Sequence, residues 1–475
     1  MKRYLIYLLL PVLFITSCVN SLDDYNVDTK KPSSVEAGPL FAFSSKAIND
    51  LLNSTNVNIN VYRFYVQYFT STTYLDEPRY DITTRTIPQA SWDRMYVTAL
   101  SNLKEAKRIV TADKVISAET KANQLAMIDV LEVYAYSILV NTFGDVPYTE
   151  ALNIDNPQPK YDDAKTITLD LIKRLDADVA AINSAGSGFG SSDIIYKGST
   201  DKWSKFANSL RLKLAMVIAD TDSDTASKTA KAAAGGALIT ANADNALFGY
   251  VAAPNNNPVW DDIPPRSSRQ DFVGASTFID VLNGLNDPRR AAYYTSVDGE
   301  FKGGRYGFNN VYANFSTFSP KVGAFNFPGN MLDAAEVNFL LAEAVERGYI
   351  SGNAQDYYNA GVKASIDYWG VSGSDTYLAQ PGVDYANAAS GATWREKIAN
   401  QKWIAFYNRP FDAWTDWRKF DFPALTKPDA PNVPEIPVRL IYPVVNNALN
   451  AQATTDAATK IGGDKSSTKL FWDNK

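Results

Sequence analysis

The sequence predicts a mainly helical protein in which paired helices support a loop-rich, aromatic-rich subdomain. Three observations lead to this fold class. Apolar side chains recur at helical spacing through most of the chain, two helices near residue 350 are separated by a short turn, and residues 243–330 lose the helical period. With 475 residues, 45% of them hydrophobic and 21% charged, the chain can bury a large core.

The first part of the chain, residues 36–242, is predicted to be helical. The segments Trp92 to Ala106, Leu171 to Ile182 and Trp203 to Ile218 each place apolar residues on one helix face. Leu125 to Phe143 is apolar nearly all round. It contains Asp129 and Glu132, so it is interpreted as a buried helix rather than a membrane span.

Residues 243–330 have a different composition. They are rich in Asn, Gly, Pro and aromatic residues, and they show a weak helical period outside Ser276 to Leu285. A loop region of this length is usually functional or disordered, and its aromatic content argues against disorder. It is therefore predicted to be a ligand-binding subdomain.

Helices are predicted again in residues 331–475. Apolar residues from Val337 to Val345 form one stripe, Gly348 is suited to a helix C-terminus, and a second helix runs to Trp369. This helix pair is similar to a tetratricopeptide unit. Thr393 and Glu396 have the spacing of a capping box, and the chain after Pro423 is proline-rich and extended.

The N-terminus has the pattern of a lipoprotein signal. Lys2 and Arg3 precede a short apolar run that ends in Thr16-Ser17-Cys18, and Cys18 is the chain's one cysteine. Residues 1–17 are predicted to be removed, Cys18 to be acylated, and residues 18–35 to form a tether. The alternative is an ordinary secreted protein with a chance cysteine. The acidic pair Asp23-Asp24 suits either a sorting signal or a solvated linker.

Composition excludes several functions. The chain has no histidine, which rules out Ser-His-Asp catalysis and histidine-ligated zinc. A net charge of −6 argues against nucleic-acid binding. A carboxylate glycosidase stays open as an alternative, although no carboxylate pair stands out. No cofactor is expected; Asp261 and Asp262 offer hard oxygen ligands for calcium, or they cap a turn, and two carboxylates are too few to indicate a metal site.

Three segments combine flat aromatic rings with polar side chains, the mixture that holds a sugar or a peptide. They are Tyr74 to Asp81, Asn257 to Asp262 with the following Arg266 and Arg269, and Arg305 to Tyr312. Each aromatic residue serves either the ligand or the local core. The candidate ligand-binding residues are Tyr74, Asp76, Arg79, Tyr80, Trp260, Asp261, Arg266, Tyr306 and Tyr312. By contrast Trp203, Trp403, Trp414 and Trp417 lie on helical stripes and are predicted to be core.

Several ordered motifs resemble the SusD/RagB family of outer-membrane nutrient-binding lipoproteins of Bacteroidetes, in its divergent SusD-like branch. Besides the lipobox they are FGDVPY from Phe143, KWSKFANSLR from Lys202, EVNFLLAEA from Glu336, WIAFY from Trp403 and FDAWTDWR from Phe411. The better-known branch has Glu-Arg where this chain has Gln401-Lys402. That pair is interpreted as part of helix packing, so the departure bears on the subfamily more than on the fold.

The resemblance implies tetratricopeptide-like helix pairs in an α-α superhelix and a role in uptake. Such lipoproteins face the cell exterior, capture a nutrient and close over a TonB-dependent, SusC-like transporter. We therefore expect an oligosaccharide-binding, non-enzymatic protein anchored in outer-membrane lipid. A peptide ligand is the alternative, since aromatic and polar residues serve both, and a protein-binding scaffold without a small ligand is a further one.

Overall fold

The structure, a computed structural model, describes residues 35–387 and 392–474. The predicted signal peptide at 1–17, Cys18 and the tether as far as residue 34 lie outside the described residues. From Ala37 onward the described chain forms one compact unit.

Helices dominate the first half of the chain. They are α1 (Ala37–Asn53), α2 (Tyr62–Tyr65), α3 (Ile87–Asp93), α4 (Ser101–Ala112), α5 (Ala118–Phe143), α6 (Ala164–Ala181), α7 (Thr200–Val217) and α8 (Ser223–Ala234). A π-helical segment, Arg94–Leu100, joins α3 to α4, and short 3-10 turns lie at Glu77–Arg79, Gly190–Ser192 and Asn242–Asp244.

The second half begins with short elements and ends with longer helices. The helices are α9 (Pro258–Asp262), α10 (Ser276–Gly284), α11 (Arg290–Tyr293), α12 (Ala334–Glu346), α13 (Ala354–Trp369), α14 (Ser374–Leu378), α15 (Trp394–Ala405), α16 (Pro410–Phe420), α17 (Asn446–Leu449) and α18 (Ala451–Lys460). Further 3-10 turns lie at Tyr312–Asn314 and Phe406–Asn408.

Neighbouring helices pack as pairs, as the sequence predicts. Helix α5 lies against α4 and α6, α7 against α6 and α8, and α12 against α13 and α15. The turn after α12 contains Gly348 at φ +71°, a conformation that glycine adopts without strain. The predicted capping box is present: the Thr393 and Glu396 side chains each accept the other residue's backbone N–H at the start of α15.

Helix α5 is the one described helix that is long and apolar enough to cross a membrane. Because 83% of its most apolar window is buried inside the protein, it is a core helix, in agreement with the sequence prediction. Its N-terminus is capped by the Ser117 side chain, which accepts a hydrogen bond from the Thr120 N–H.

Two short antiparallel sheets tie the loop-rich segment to the helices. Strand β1 (Phe69–Ser71) pairs with β3 (Phe272–Gly274), aligning Ser71 with Phe272. Strand β2 (Ala246–Phe248) pairs with β4 (Gly329–Leu332) through an irregular register. The first pairing places the chain after residue 71 beside the chain before residue 272. Residues of these two segments form part of the candidate site.

Tryptophans on the helical stripes are core residues, as predicted. Trp203, Trp403 and Trp414 are buried, and each indole N–H has an acceptor: Asp193 Oδ2 at 2.7 Å, the Val66 carbonyl at 2.9 Å and the Pro437 carbonyl at 2.8 Å. Trp417 is partly buried and donates to the Pro423 carbonyl at 3.2 Å. The polar atom that a buried tryptophan must satisfy is therefore satisfied in each case.

Buried ion pairs connect α12 with α7 and α16. Glu336 on α12 pairs with Arg409, which precedes α16, and with Lys213 on α7 at 3.2 Å. Arg409 also pairs with Asp412 at 2.6 Å. Burial raises the pKa of Glu336, but the positive charges of Arg409, Lys213 and Lys402 outweigh it and hold that pKa at about 2. Glu336 is therefore ionised at neutral pH.

A second group of buried pairs continues the same layer. Glu343 on α12 pairs with Lys419 at 2.6 Å and with Arg347 at 2.8 Å, and Lys402 on α15 pairs with Asp416 at 2.6 Å. We call these two groups together the buried ion network. Gln401 also lies inside, where its Nε2 donates to the Tyr377 hydroxyl at 3.0 Å. Gln401 and Lys402 thus belong to helix packing.

Candidate ligand-binding site

Two adjoining cavities open where the loops after α1, before α3 and after α9 meet. Their volumes are about 200 Å³ and about 40 Å³. They share Asp262, Arg269, Asp271 and Phe272, and we call the combined feature the loop cleft. The larger cavity is also lined by Thr55, Asn56, Val57, Asn58 and Arg85. The smaller is also lined by Ile263, Pro264, Tyr312, Thr317 and Phe318.

The β1–β3 pairing brings Tyr74 next to two arginines of this cleft, Arg85 and Arg269. Beyond the ladder, the Thr72 N–H donates to the Asp271 carbonyl at 2.9 Å and its hydroxyl to the Gln270 carbonyl at 2.7 Å. These bonds extend the alignment and place Tyr74 beside Arg269. The floor is apolar, because Phe272 is buried against Phe69 with ring centres 4.7 Å apart.

Tyr74 is an exposed aromatic residue beside the cleft lining, with 50% of its surface accessible. The guanidinium carbons of Arg85 and Arg269 lie 5.7 and 5.8 Å from its ring centre, within cation–π range. Arg85 is also paired with buried Glu77, and Arg269 with Asp271 at 2.5 Å. The ring and the two guanidinium groups therefore form a positioned platform at the surface.

Trp260 forms a second aromatic platform beside the cleft. It lies on α9, which is capped by the Asn257 side chain accepting the Val259 N–H at 2.8 Å. The Arg266 guanidinium carbon is 5.0 Å from its ring centre, and the half-exposed Phe325 ring is 6.1 Å away. Asp261 accepts from Asn256 Nδ2 at 2.8 Å and lies 3.9 Å from Arg266.

Asp262, the last residue of α9, lines both cavities. Its Oδ2 accepts the Thr55 hydroxyl at 2.9 Å. Burial raises the pKa of Asp262, and the nearby carboxylates of Asp261 and Asp271 raise it further, while the Thr55 hydrogen bond and Arg269 act against this. Tyr312 is half-buried and lies at the smaller cavity.

Other candidates from the first segment lie away from the cleft surface. Arg79 donates through Nε to the Gly307 carbonyl at 3.1 Å, and half-buried Asp76 accepts the Asp81 N–H at its own carbonyl at 2.8 Å. Tyr80 is buried at φ +70°, and burial raises its pKa to about 12.

Tyr306, like Tyr80, is a core residue, so the prediction that these two residues contact the ligand is wrong. It is 5% exposed, its hydroxyl donates to the Phe64 carbonyl at 2.8 Å, and its ring packs 6.4 Å from that of Tyr80. The two buried rings pack against each other inside the protein, so neither is available to a ligand. Aromatic content alone does not separate such rings from exposed ones.

Sequence reasoning did not single out Arg85, Asp271 or Thr55. Arg85 follows its partner Glu77 through a loop, and Asp271 and Thr55 are ordinary loop residues until the β1–β3 ladder and α9 bring them together. Asp262 and Arg269 belong to the predicted Trp260 segment but are not among the nine candidate ligand-binding residues. The sequence signal for them is that they follow Trp260 in the same loop-rich segment.

Two further concavities have a different character. One of about 360 Å³ lies between α10 and α15, lined largely by apolar and proline residues; its Lys397 donates to the Tyr385 and Asn387 carbonyls. Another of about 200 Å³ is lined by Trp92, Tyr96, Tyr161 and several prolines. Neither contains the arginine–aromatic platforms of the loop cleft. Within residues 35–387 and 392–474, no group of three His, Cys, Asp or Glu side chains could hold a metal ion.

Paired helices carrying a loop-built, aromatic and polar cleft define a scaffold of the tetratricopeptide-like type. The chain belongs to the SusD-like family described as "starch-binding associating with outer membrane", whose model matches residues 29–443. The family's members are nutrient-binding proteins associated with the outer membrane in Bacteroidetes. No curated protein matches the chain significantly.

Solved structures share the whole fold. A chitin-binding protein superposes with a TM-score of 0.80 at 26% identity, covering 93% of this chain and 100% of its own. A chitin-binding SusD homologue from Flavobacterium johnsoniae gives 0.78 at 25% identity, covering 92% and 99%. A SusD homologue from Bacteroides uniformis gives 0.78 at 26% identity, covering 91% and 99%.

Proposed function

We propose that this protein is a lipid-anchored receptor on the outer face of the outer membrane that binds an oligosaccharide in the loop cleft. The observation that carries the proposal is the loop cleft itself. Sugars present apolar C–H faces and hydroxyl groups, so they need flat aromatic rings together with charged or amide side chains. Tyr74 supplies an exposed ring, half-buried Trp260 supplies a second ring, and Arg85, Arg269, Asp262 and Asn58 supply polar groups.

Chito-oligosaccharides are the first ligands to test, because two structural relatives are chitin-binding proteins. The cavity of about 200 Å³ holds part of an oligosaccharide, and the remainder lies along the rim, by which we mean Trp260, Asp261 and Arg266 beside the cleft. In this proposal the loop-rich segment 243–330 and the loops near Thr55, Tyr74 and Arg85 supply the binding surface. The helices of 36–242 and 331–475 supply the scaffold.

Isothermal titration of the mature chain against chito-, malto- and xylo-oligosaccharides and a panel of peptides tests ligand class. Saturable binding of one glycan class supports the proposal. Binding of peptides alone favours the peptide-receptor alternative, and no binding by folded protein contradicts a receptor role. Reducing-sugar release in the same mixtures is expected to be absent, because we propose a binding protein and not an enzyme.

We further propose that acylated Cys18 holds the protein beside a TonB-dependent, SusC-like barrel that receives the ligand. Cys18→Ala should leave glycan binding unchanged and release the protein from the membrane, since attachment and binding use different residues. Purification of the anchored protein in mild detergent should recover the barrel with it. Repeated recovery without a barrel would contradict delivery to a transporter.

A further inference from the structure

The charges of the loop cleft and its rim do not balance. Three arginines are each paired with one acid: Arg85 with Glu77, Arg269 with Asp271 and Arg266 with Asp261. Asp262 is the fourth carboxylate, and among the described residues no lysine or arginine forms an ion pair with it. The arginines are thus engaged, and one uncompensated negative charge lines both cavities.

Hydrogen bonding within the protein leaves one oxygen of the same group available to a ligand. Asp262 Oδ2 accepts the Thr55 hydroxyl, whereas Oδ1 has no donor among the described residues. An ionised carboxylate accepts several hydrogen bonds, and a half-desolvated one gains more from each than an exposed one does. The direction of its pKa shift, upward through burial, is consistent with this missing compensation.

We propose that Asp262 sets the charge specificity of the loop cleft, favouring amino sugars and N-acetylated amino sugars over sugars that carry acid groups. This inference rests on the proposed glycan-binding function and adds the substrate class. An ammonium or acetamido N–H donates to Asp262 Oδ1 and compensates its charge. A uronate or sulfate meets an unpaired carboxylate and arginines already neutralised by Glu77, Asp261 and Asp271, so it is disfavoured.

A purely structural role for Asp262 is distinguishable. Its bond to Thr55 ties the loop after α1 to the end of α9. Asparagine keeps an oxygen that accepts the Thr55 hydroxyl and removes the charge, so Asp262→Asn preserves this tie. The matched control is Asp429→Asn, which removes the same charge from an exposed carboxylate paired with Arg305 outside the cleft.

The test is isothermal titration of the wild-type chain, D262N and D429N with three probes: chitosan tetramer, chitotetraose and trigalacturonate. Wild type should bind the first two and bind trigalacturonate most weakly. D262N should weaken chitosan binding by about tenfold or more and chitotetraose binding by about threefold, without weakening trigalacturonate. D429N should match wild type, and circular dichroism should show all three proteins folded.

Two outcomes overturn the inference. One is wild-type affinity of folded D262N for chitosan tetramer, and the other is tighter wild-type binding of trigalacturonate than of either chitin-derived probe. In both outcomes the wild-type protein still binds a glycan, so the proposed function stands while the specificity role of Asp262 fails. Absence of wild-type binding to all three probes and to the wider glycan panel contradicts the proposed function as well.

Discussion

Charged residues occupy two regions of this molecule in opposite ways. In the buried ion network, Glu336 and Arg409 are almost fully removed from water and each has more than one partner of opposite charge. In the loop cleft, Arg269 and Arg85 keep part of their surface exposed beside Tyr74, and Asp262 has no ionic partner among the described residues. The network is closed, whereas the cleft is open to an incoming group.

The difference indicates that the charges of the network contribute to folding stability, whereas those of the cleft are available for ligand binding. A buried charge that loses its partner is strongly destabilising, so the network must stay intact for the helices to pack. A half-exposed pair contributes little to stability because water screens it. Substitutions in the network should therefore change folding, and substitutions in the cleft should change binding.

The largest effect is expected for Glu336→Gln. Loss of the carboxylate leaves Arg409 and Lys213 with fewer negative partners in a buried layer, which should lower the free energy of unfolding by about 3–5 kcal/mol. Urea denaturation measures the change. The control is Glu105→Gln on α4, whose exposed pair with Arg108 should matter little.

Acid sensitivity gives the same substitution a second readout. Because the pKa of Glu336 is held at about 2, the stability it contributes is present above the unfolded-state pKa of about 4.5 and is lost as pH falls toward 2. Glu336→Gln should remove this part of the acid transition. Equal stability of the variant and wild type at neutral pH would show that the network is not a structural requirement.

Asp178 on α6 should make stability fall with rising pH. Burial raises its pKa to about 8, and the negative charge of Asp129 adds to the shift, against Arg174 and Lys107. Since the unfolded chain has a pKa near 3.8, unfolding releases a proton between these values, and stability declines by at most about 1.4 kcal/mol per pH unit.

Asp178→Asn should flatten that decline and be the more stable protein at pH 8 and above. Thermal melts across the pH range measure it, with Asp375→Asn as an exposed carboxylate control. A wild-type profile that rises from pH 4 to 8, after correction by the control, would contradict the assignment.

Tyr74→Ala tests the cleft side of the comparison. Removing the ring eliminates the surface between Arg85 and Arg269, so glycan affinity should fall by about tenfold, while stability changes by less than about 0.5 kcal/mol. Titration and urea denaturation together measure both. Phe43→Ala on α1, an aromatic residue 52% exposed away from the cleft, is the control and should leave binding unchanged.

The smallest effect is expected for Arg305→Ala. Its pair with Asp429 is exposed, and its guanidinium carbon lies 3.6 Å from the Phe308 ring centre, outside the cleft lining. Stability should change by about 0.5 kcal/mol or less and glycan binding should stay at the wild-type level. A tenfold loss of affinity would contradict this expectation and show that the binding surface includes Arg305.

Much of the helical scaffold was predictable because the helical period and local capping signals are sequence-local. The α12–α13 pair, the buried helix α5 and the Thr393–Glu396 capping box all follow from spacing over a few turns. The lengths of the loops and the positions of the short strands did not follow, because strands of three or four residues are too short to show a clear alternation of apolar and polar residues.

The cleft was less predictable for a physical reason. Tyr74 and Tyr80 lie in the same aromatic, polar segment, yet Tyr74 faces solvent and Tyr80 is buried against Tyr306. Whether each ring is exposed or buried depends on the pairing of β1 with β3, a contact between residues about 200 positions apart in the chain. For the same reason Arg85 and Asp271 emerge as neighbours of one surface only in three dimensions.

A crystal structure of the protein with bound chitotetraose tests the central claim most directly. The account predicts a sugar ring against Tyr74, a hydrogen bond from its acetamido N–H or a hydroxyl to Asp262, and further contacts along the Trp260 rim. A sugar bound instead in the cavity between α10 and α15, or in the groove beside Trp92 and Tyr161, with the loop cleft free of sugar, would contradict it.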